Sequence, residues 1–155
     1  MKIDLIKTSL KDTKEIWEMQ VKAFKELLDK YQDFETNPAS EPISNIEIRL
    51  KQNFTFFYFI CADNKKVGAI RIIDYKEKYK NKRISPIFIL PEYRNKGIAQ
   101  SAIKICEEIH GKISWELSTI LQEKGNCYLY EKLGYHSTGK IQVINDRLTL
   151  IFYEK

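Results

Sequence analysis

The residues from Ile84 to Gly111 constrain the chain most. The apolar run Ile84-Ser85-Pro86-Ile87-Phe88-Ile89-Leu90 stops at Pro91. A short basic turn follows, with Arg94, Asn95, Lys96 and Gly97. Ile98, Ala102, Ile105, Cys106 and Ile109 then recur at helical spacing, and the pattern ends at Gly111. The order is strand, tight turn, helix. The first amides of such a helix have no partner within it and point into the turn. With the helix dipole they make an anion site, to which Arg94 and Lys96 add full positive charge. Gly97 removes a side chain where backbone approaches a ligand. A phosphate or diphosphate suits this geometry, although a solvated basic turn has the same spacing. It is neither a Walker loop, since Gly97 is not followed by Lys-Ser/Thr, nor a dinucleotide fingerprint, which needs three glycines.

The flanking elements fit a sheet covered by helices. Ile3, Leu5 and Lys7 open a strand. Asp12 with Glu15 resembles a capping box, and a helix is predicted over 13–30. The segment 31–42 holds two prolines and reads as a long loop, carrying Asp33, Glu35 and Glu41 with no basic residue of its own. It is either a solvated acidic loop or an entrance that attracts a cationic amine. Ser44 reads as the cap of a short helix. Strands over 54–61 and 67–74 form a hairpin across Asp63-Asn64-Lys65, and 75–82 is a polar loop. A strand over 112–118 precedes a helix that opens at Asn126 and ends at Gly134. Two more strands, 135–144 and 147–153, meet at Asn145-Asp146. The order is therefore β-α-α-β-β-β-α-β-α-β-β, and the fold class is an α/β (α+β) mix in one domain spanning 1–155.

Two blocks resemble the GNAT (Gcn5-related) N-acetyltransferases. Arg94-Asn95-Lys96-Gly97-Ile98-Ala99, after Leu90-Pro91-Glu92-Tyr93, is similar to their acyl-CoA signature. Asn126-Cys127-Tyr128-Leu129-Tyr130-Glu131-Lys132-Leu133-Gly134-Tyr135 is similar to their late helix and the strand after it. The resemblance implies a mixed, mostly antiparallel sheet with helices on both faces. It implies acetyl-CoA as cosubstrate, no metal, and an amine acceptor that the loop over 31–42 helps to hold. Arg94, Asn95, Lys96, Gly97, Ile98 and Ala99 would take the diphosphate. The strand near Phe88 and Ile89 would splay from its neighbour, pair with the pantetheine and supply the amide that stabilises the oxyanion. Pro86 fits interrupted pairing there, because proline cannot donate to the ladder. Many relatives form dimers, so a homodimer is possible.

An alkyl amine has a pKa of about 10.4, so the free base at neutral pH costs about 4 kcal/mol. A base, a water relay or desolvation must recover it. Glu116 and Asp74 are the candidates for the glutamate-like base, since Ile84 to Leu90 holds no carboxylate. Tyr130 matches the family's general acid for the leaving thiolate. With ordinary pKa values of about 10 for tyrosine and 8.5 for a thiol, it acts as a hydrogen-bond donor or has a lowered pKa. Asn126, one turn earlier, bonds the pantetheine or caps its helix.

The leading reading is direct transfer of acetyl to a primary amine of a small cationic metabolite. The alternatives are a non-catalytic acyl-CoA-binding or sensing module and a protein or peptide amine acetyltransferase. The net charge of +5 also admits a nucleic-acid partner, but Lys76, Lys78, Lys80, Lys82 and Arg83 read as solvated surface and no nucleic-acid motif is present. No apolar run reaches the ~20 residues of a membrane span, and the start lacks a signal-peptide core, so no membrane partner is expected and the expected location is the cytoplasm. Cys61, Cys106 and Cys127 are an odd number without metal spacing and read as reduced and buried. His110 and His136 look isolated.

Overall fold

A computed structural model describes residues 1–155. Its strands are β1 (Ile3–Lys7), β2 (Thr55–Ala62), β3 (Lys65–Ile73), β4 (Lys82–Ile89), β5 (Trp115–Ile120), β6 (His136–Val143) and β7 (Thr149–Glu154). The helices are α1 (Thr13–Tyr31), α2 (Ile43–Lys51), α3 (Ile98–His110) and α4 (Lys124–Lys132). Element order agrees with the sequence reading throughout. The strands form one seven-stranded sheet in the order β1-β2-β3-β4-β5-β7-β6, antiparallel except for β4 beside β5. Ile16, Ala23 and Ile46 of α1 and α2 pack on one face, with Phe57, Phe59, Ala69 and Phe88. Ile98, Ala102, Ile103 and Cys106 of α3, with Tyr130 and Leu133, pack on the other.

Local chemistry explains most boundaries and several corrections. The hairpin turns at Asp63 and Asn64, both at positive φ (48° and 68°), which these short polar residues tolerate. The Asp12 side chain turns back to accept from Ser9 N (2.9 Å) rather than capping α1, and Glu15 pairs with Lys66 (2.7 Å), so the expected capping box is not formed. Pro42, not Ser44, stands at the N-cap of α2. Helix α4 begins before Asn126 and takes in Gly125. Ile103 rather than Ile109 belongs to the buried stripe of α3; Ile109 is 53% exposed. All three cysteines are free and buried.

The central strand is irregular where it matters. Ile70 pairs with Ile87 but Ile72 with Ile84, so Ser85 and Pro86 together face Arg71 in a bulge. On its other side β4 meets β5 only at Lys82–Trp115 and Arg83–Glu116. Beyond that the two strands diverge and leave a V-shaped opening.

Candidate active site

That opening is the mouth of a cavity of roughly 750 Å³, walled by β4, β5, the C-terminal half of α1, and the starts of α3 and α4. Strand alternation decides which peptide groups face it. Leu90 N donates to Val67 O (2.8 Å), so the even-numbered residue Phe88 directs its peptide groups to β3 as well. Ile89 N–H and Ile87 N–H therefore turn away from β3, toward the side where β5 has left. Of the pair Phe88 and Ile89, the free donor is Ile89.

The turn before α3 is built from two left-handed residues, Asn95 (φ 62°) and Gly97 (φ 77°). Ser101 N donates to Gly97 O (3.1 Å) and is the first amide to close on the helix. The N–H groups of Ile98, Ala99 and Gln100 thus have no helical acceptor. A Cβ at Gly97 would meet nothing within 4 Å, so the space in front of the turn is open. Bare amides, the positive helix end and free space suit a diphosphate. Lys96 is exposed and has no carboxylate partner. Arg94 differs from expectation: Nε donates to Ile89 O (2.9 Å), NH2 to Ala23 O (2.6 Å), and NH1 lies 3.6 Å from Glu26. Its side chain clamps the end of β4 to α1, so a good part of its charge is already committed.

Tyr130 and Asn126 sit one turn apart on α4, and both line the cavity. Tyr130 is buried at 7% exposure, packed edge-on to Tyr135 with ring centres 6.0 Å apart. Burial, helped by neighbouring Cys127, pushes its phenol well above the ordinary tyrosine range. That direction is opposite to the lowered-pKa alternative and keeps the phenol a neutral donor at physiological pH. Asn126 lies within the helix, with Glu123 at the N-cap position, so its capping role falls away and its amide is free for a ligand.

Neither expected base lies in the cavity. Glu116, half exposed at the closed end of β5, is near Arg83 (3.9 Å) and Asn81 (3.5 Å). Asp74 belongs to a separate cleft of roughly 370 Å³, around which Lys76, Lys78, Lys80 and Lys82 gather. There it meets His110, which is not isolated after all: Nδ1 is 2.8 Å from Asp74 and Nε2 is 2.9 Å from the Tyr58 hydroxyl. Burial lowers the His110 pKa against the opposing pull of Asp74. A neutral ring then donates from Nδ1 to Asp74 and accepts at Nε2 from Tyr58, a partnership across distant sequence that no spacing could reveal.

The acidic loop is also less available than its sequence suggests. Glu41 receives both Arg49 nitrogens, NH1 at 2.7 Å and NH2 at 2.8 Å, plus Gln20 Nε2 at 3.1 Å. Buried Asp33 accepts from Glu35 N (3.1 Å) and Thr36 N (2.9 Å), and from the Thr36 hydroxyl. Glu35 alone of the three is exposed. Of these three only Asp33 lines the cavity, and the cavity carboxylate Glu123 is engaged too. Glu123 takes the Tyr31 hydroxyl and Lys30 Nζ (2.8 Å), and those bonds hold its pKa below the usual glutamate range.

The sequence profile of the acetyltransferase (GNAT) family matches residues 14–135. The chain belongs to the GNAT acetyltransferase family. As a GNAT protein it is an acetyl-CoA-dependent N-acetyltransferase. Solved GNAT structures share its fold at low identity. The ribosomal-protein-S18-alanine N-acetyltransferase of Escherichia coli is 11% identical, with 98% of this chain and 92% of that one covered and a TM-score of 0.76. The spermidine N-acetyltransferase of Vibrio cholerae, solved with CoA and spermine, is 18% identical over 97% and 93%, with a TM-score of 0.74. The PaiA N-acetyltransferase of Thermoplasma acidophilum, solved with coenzyme A, is 16% identical over 100% of each chain, with a TM-score of 0.66. No curated protein matches this GNAT chain in sequence. No helix in it is long and apolar enough to cross a membrane.

Proposed function

We propose that this protein moves an acetyl group from acetyl-CoA directly to a primary amine of a small metabolite, in the cytoplasm. One observation carries the reading: the parting of β4 and β5 gathers Ile89 N–H, Tyr130 and the free amides of α3 around a single cavity. Acetyl-CoA brings the activated thioester. Ile98 and Ala99 amides, with Asn95, Lys96 and Gly97, hold the diphosphate, and Arg94 keeps that turn in place. Asn126 and the outer edge of β4 orient the pantetheine. Ile89 N–H donates to the carbonyl oxygen as it gains charge, at no reorganisation cost because the sheet fixes it. Tyr130 donates a hydrogen bond to the departing sulfur. Its raised pKa makes complete proton transfer to a thiolate uphill, so stabilisation by donation is the main role. The cavity carboxylates Glu26, Asp33 and Glu123 all have partners, so water in the cavity carries the amine proton out to bulk solvent.

A small acceptor is favoured over a protein terminus by two contacts at the mouth. Asn145 Nδ2 donates to Tyr31 O (3.0 Å), tying the β6–β7 turn to the end of α1. Glu123 ties the start of α4 to Lys30 and Tyr31. These links brace the wall of the cavity at the end of α1, and a small amine is the acceptor that enters with them in place. Homodimer formation rests on the family resemblance alone. The deciding experiment is a free-thiol release screen of purified protein with acetyl-CoA and an amine library. Release that depends on one amine class supports the reading; CoA binding without release to any amine favours a sensing module.

A further inference from the structure

Arg71 is buried at 7% exposure, yet no carboxylate lies within ion-pair distance of it. It projects from β3 at the bulge, and its Nε donates to Ser85 O. The charges that face it are Arg49, Glu41 and Arg83. Glu41 is already held bidentately by Arg49. Arg83 has only the half-exposed Glu116 at 3.9 Å and a bond from NH2 to Ser118 Oγ at 3.2 Å. Three guanidinium groups thus meet two carboxylates, and one positive charge is left over. Burial, with Arg49 beside it, brings the Arg71 pKa down to about 10, which still leaves it charged at neutral pH. A lone cation in the interior is costly unless an anion joins it.

The surplus charge adjoins the cavity, because Arg83, Ser85 and Ser118 all line it. Resting on the transferase reading above, we propose that the acceptor carries a carboxylate, bound by Arg83 with Arg71 behind it. One negative charge offsets the surplus beside Arg71 and Arg83. The guanidinium of Arg83 lies level with Ser85 and Ser118, and the acetyl carbon must come to Ile89; the bulge at Ser85 and Pro86 shortens that four-residue span to about 10 Å. A polar contact of about 3 Å at each end leaves about 4 Å between amine and carboxylate along the strand. The α-amine of a free amino acid is too close to its own carboxylate. The ω-amine of a longer amino acid, lysine among them with its flexible chain bent, bridges the gap.

L-lysine and 1,5-diaminopentane form a matched pair that differs by the carboxylate. The expected result is a kcat/KM about tenfold or more higher for lysine, mostly through KM, as a charged buried hydrogen bond gives. Arg83→Gln should bring that ratio near one, and Arg83→Lys should restore part of it. Equal or better turnover of the diamine by the unaltered enzyme, or a ratio untouched by Arg83→Gln, would overturn the proposal. Calorimetric titration of 6-acetamidohexanoate against N-pentylacetamide, with and without CoA, decides the matter even where neither amine turns over. Binding of the carboxylate alone supports it, and binding of neither or both overturns it. Failure of CoA itself to bind would count against the transferase reading instead.

Discussion

A Cβ on Gly68 would stand 2.1 Å from the carbonyl oxygen of Phe88. The obstacle is backbone, so β3 and β4 would have to part at the place where Ile89 presents its amide. Gly68→Ala should therefore cost about 2–3 kcal/mol of stability and lower the melting temperature by about 4–12 °C. Differential scanning calorimetry checks this, and acetyl transfer should fall with it because the oxyanion donor moves.

Arg94 and Lys96 stand two residues apart in one turn and should separate cleanly. Arg94→Ala removes charged donors from Ile89 O and Ala23 O, and should cost about 2 kcal/mol in urea unfolding without CoA. Lys96→Ala should leave stability within about 0.5 kcal/mol. It should weaken CoA binding by up to about fivefold, as expected for one exposed ion pair.

The architecture was largely legible because apolar periodicity and turn residues mark elements directly. Every strand and helix lies where the sequence places it, to within a few residues. Tyr130 and Asn126 could be paired from helical spacing, and Gly97 could be placed at a helix start. What could not be read were contacts between distant segments. Arg49 neutralises Glu41 from the next helix, and His110 finds Asp74 and Tyr58 across the sheet. From sequence the acidic loop therefore reads as available, and Asp74 as a base. Arg71 carries no signal in the sequence, because an arginine in a strand is ordinary until its burial is known.

The neutral His110 makes stability depend on pH. Its folded pKa lies below the ordinary value of 6.5, so the unfolded chain binds the proton first as pH falls. Its contribution is complete above pH 6.5 and is lost as pH drops through the folded value. Asp74, also lowered, matters only below its ordinary 3.8. Urea midpoints should fall between pH 7.5 and 5.5, and His110→Gln should show a smaller fall from a lower start.

Tyr130→Phe should reduce kcat about 10- to 100-fold while KM for acetyl-CoA stays nearly constant. Because burial raises the phenol pKa, no falling limb should enter the rate profile from Tyr130 below pH 10. Steady-state kinetics from pH 7 to 10 measures both.

The most direct test is a crystal structure of the coenzyme A complex. The diphosphate should lie within hydrogen-bonding distance of the Ile98, Ala99 and Gln100 amides, with the sulfur in the cleft between β4 and β5 near the Tyr130 hydroxyl. A cofactor seated in the lysine-rimmed cleft beside Asp74, or one whose sulfur points away from Tyr130, would contradict the account.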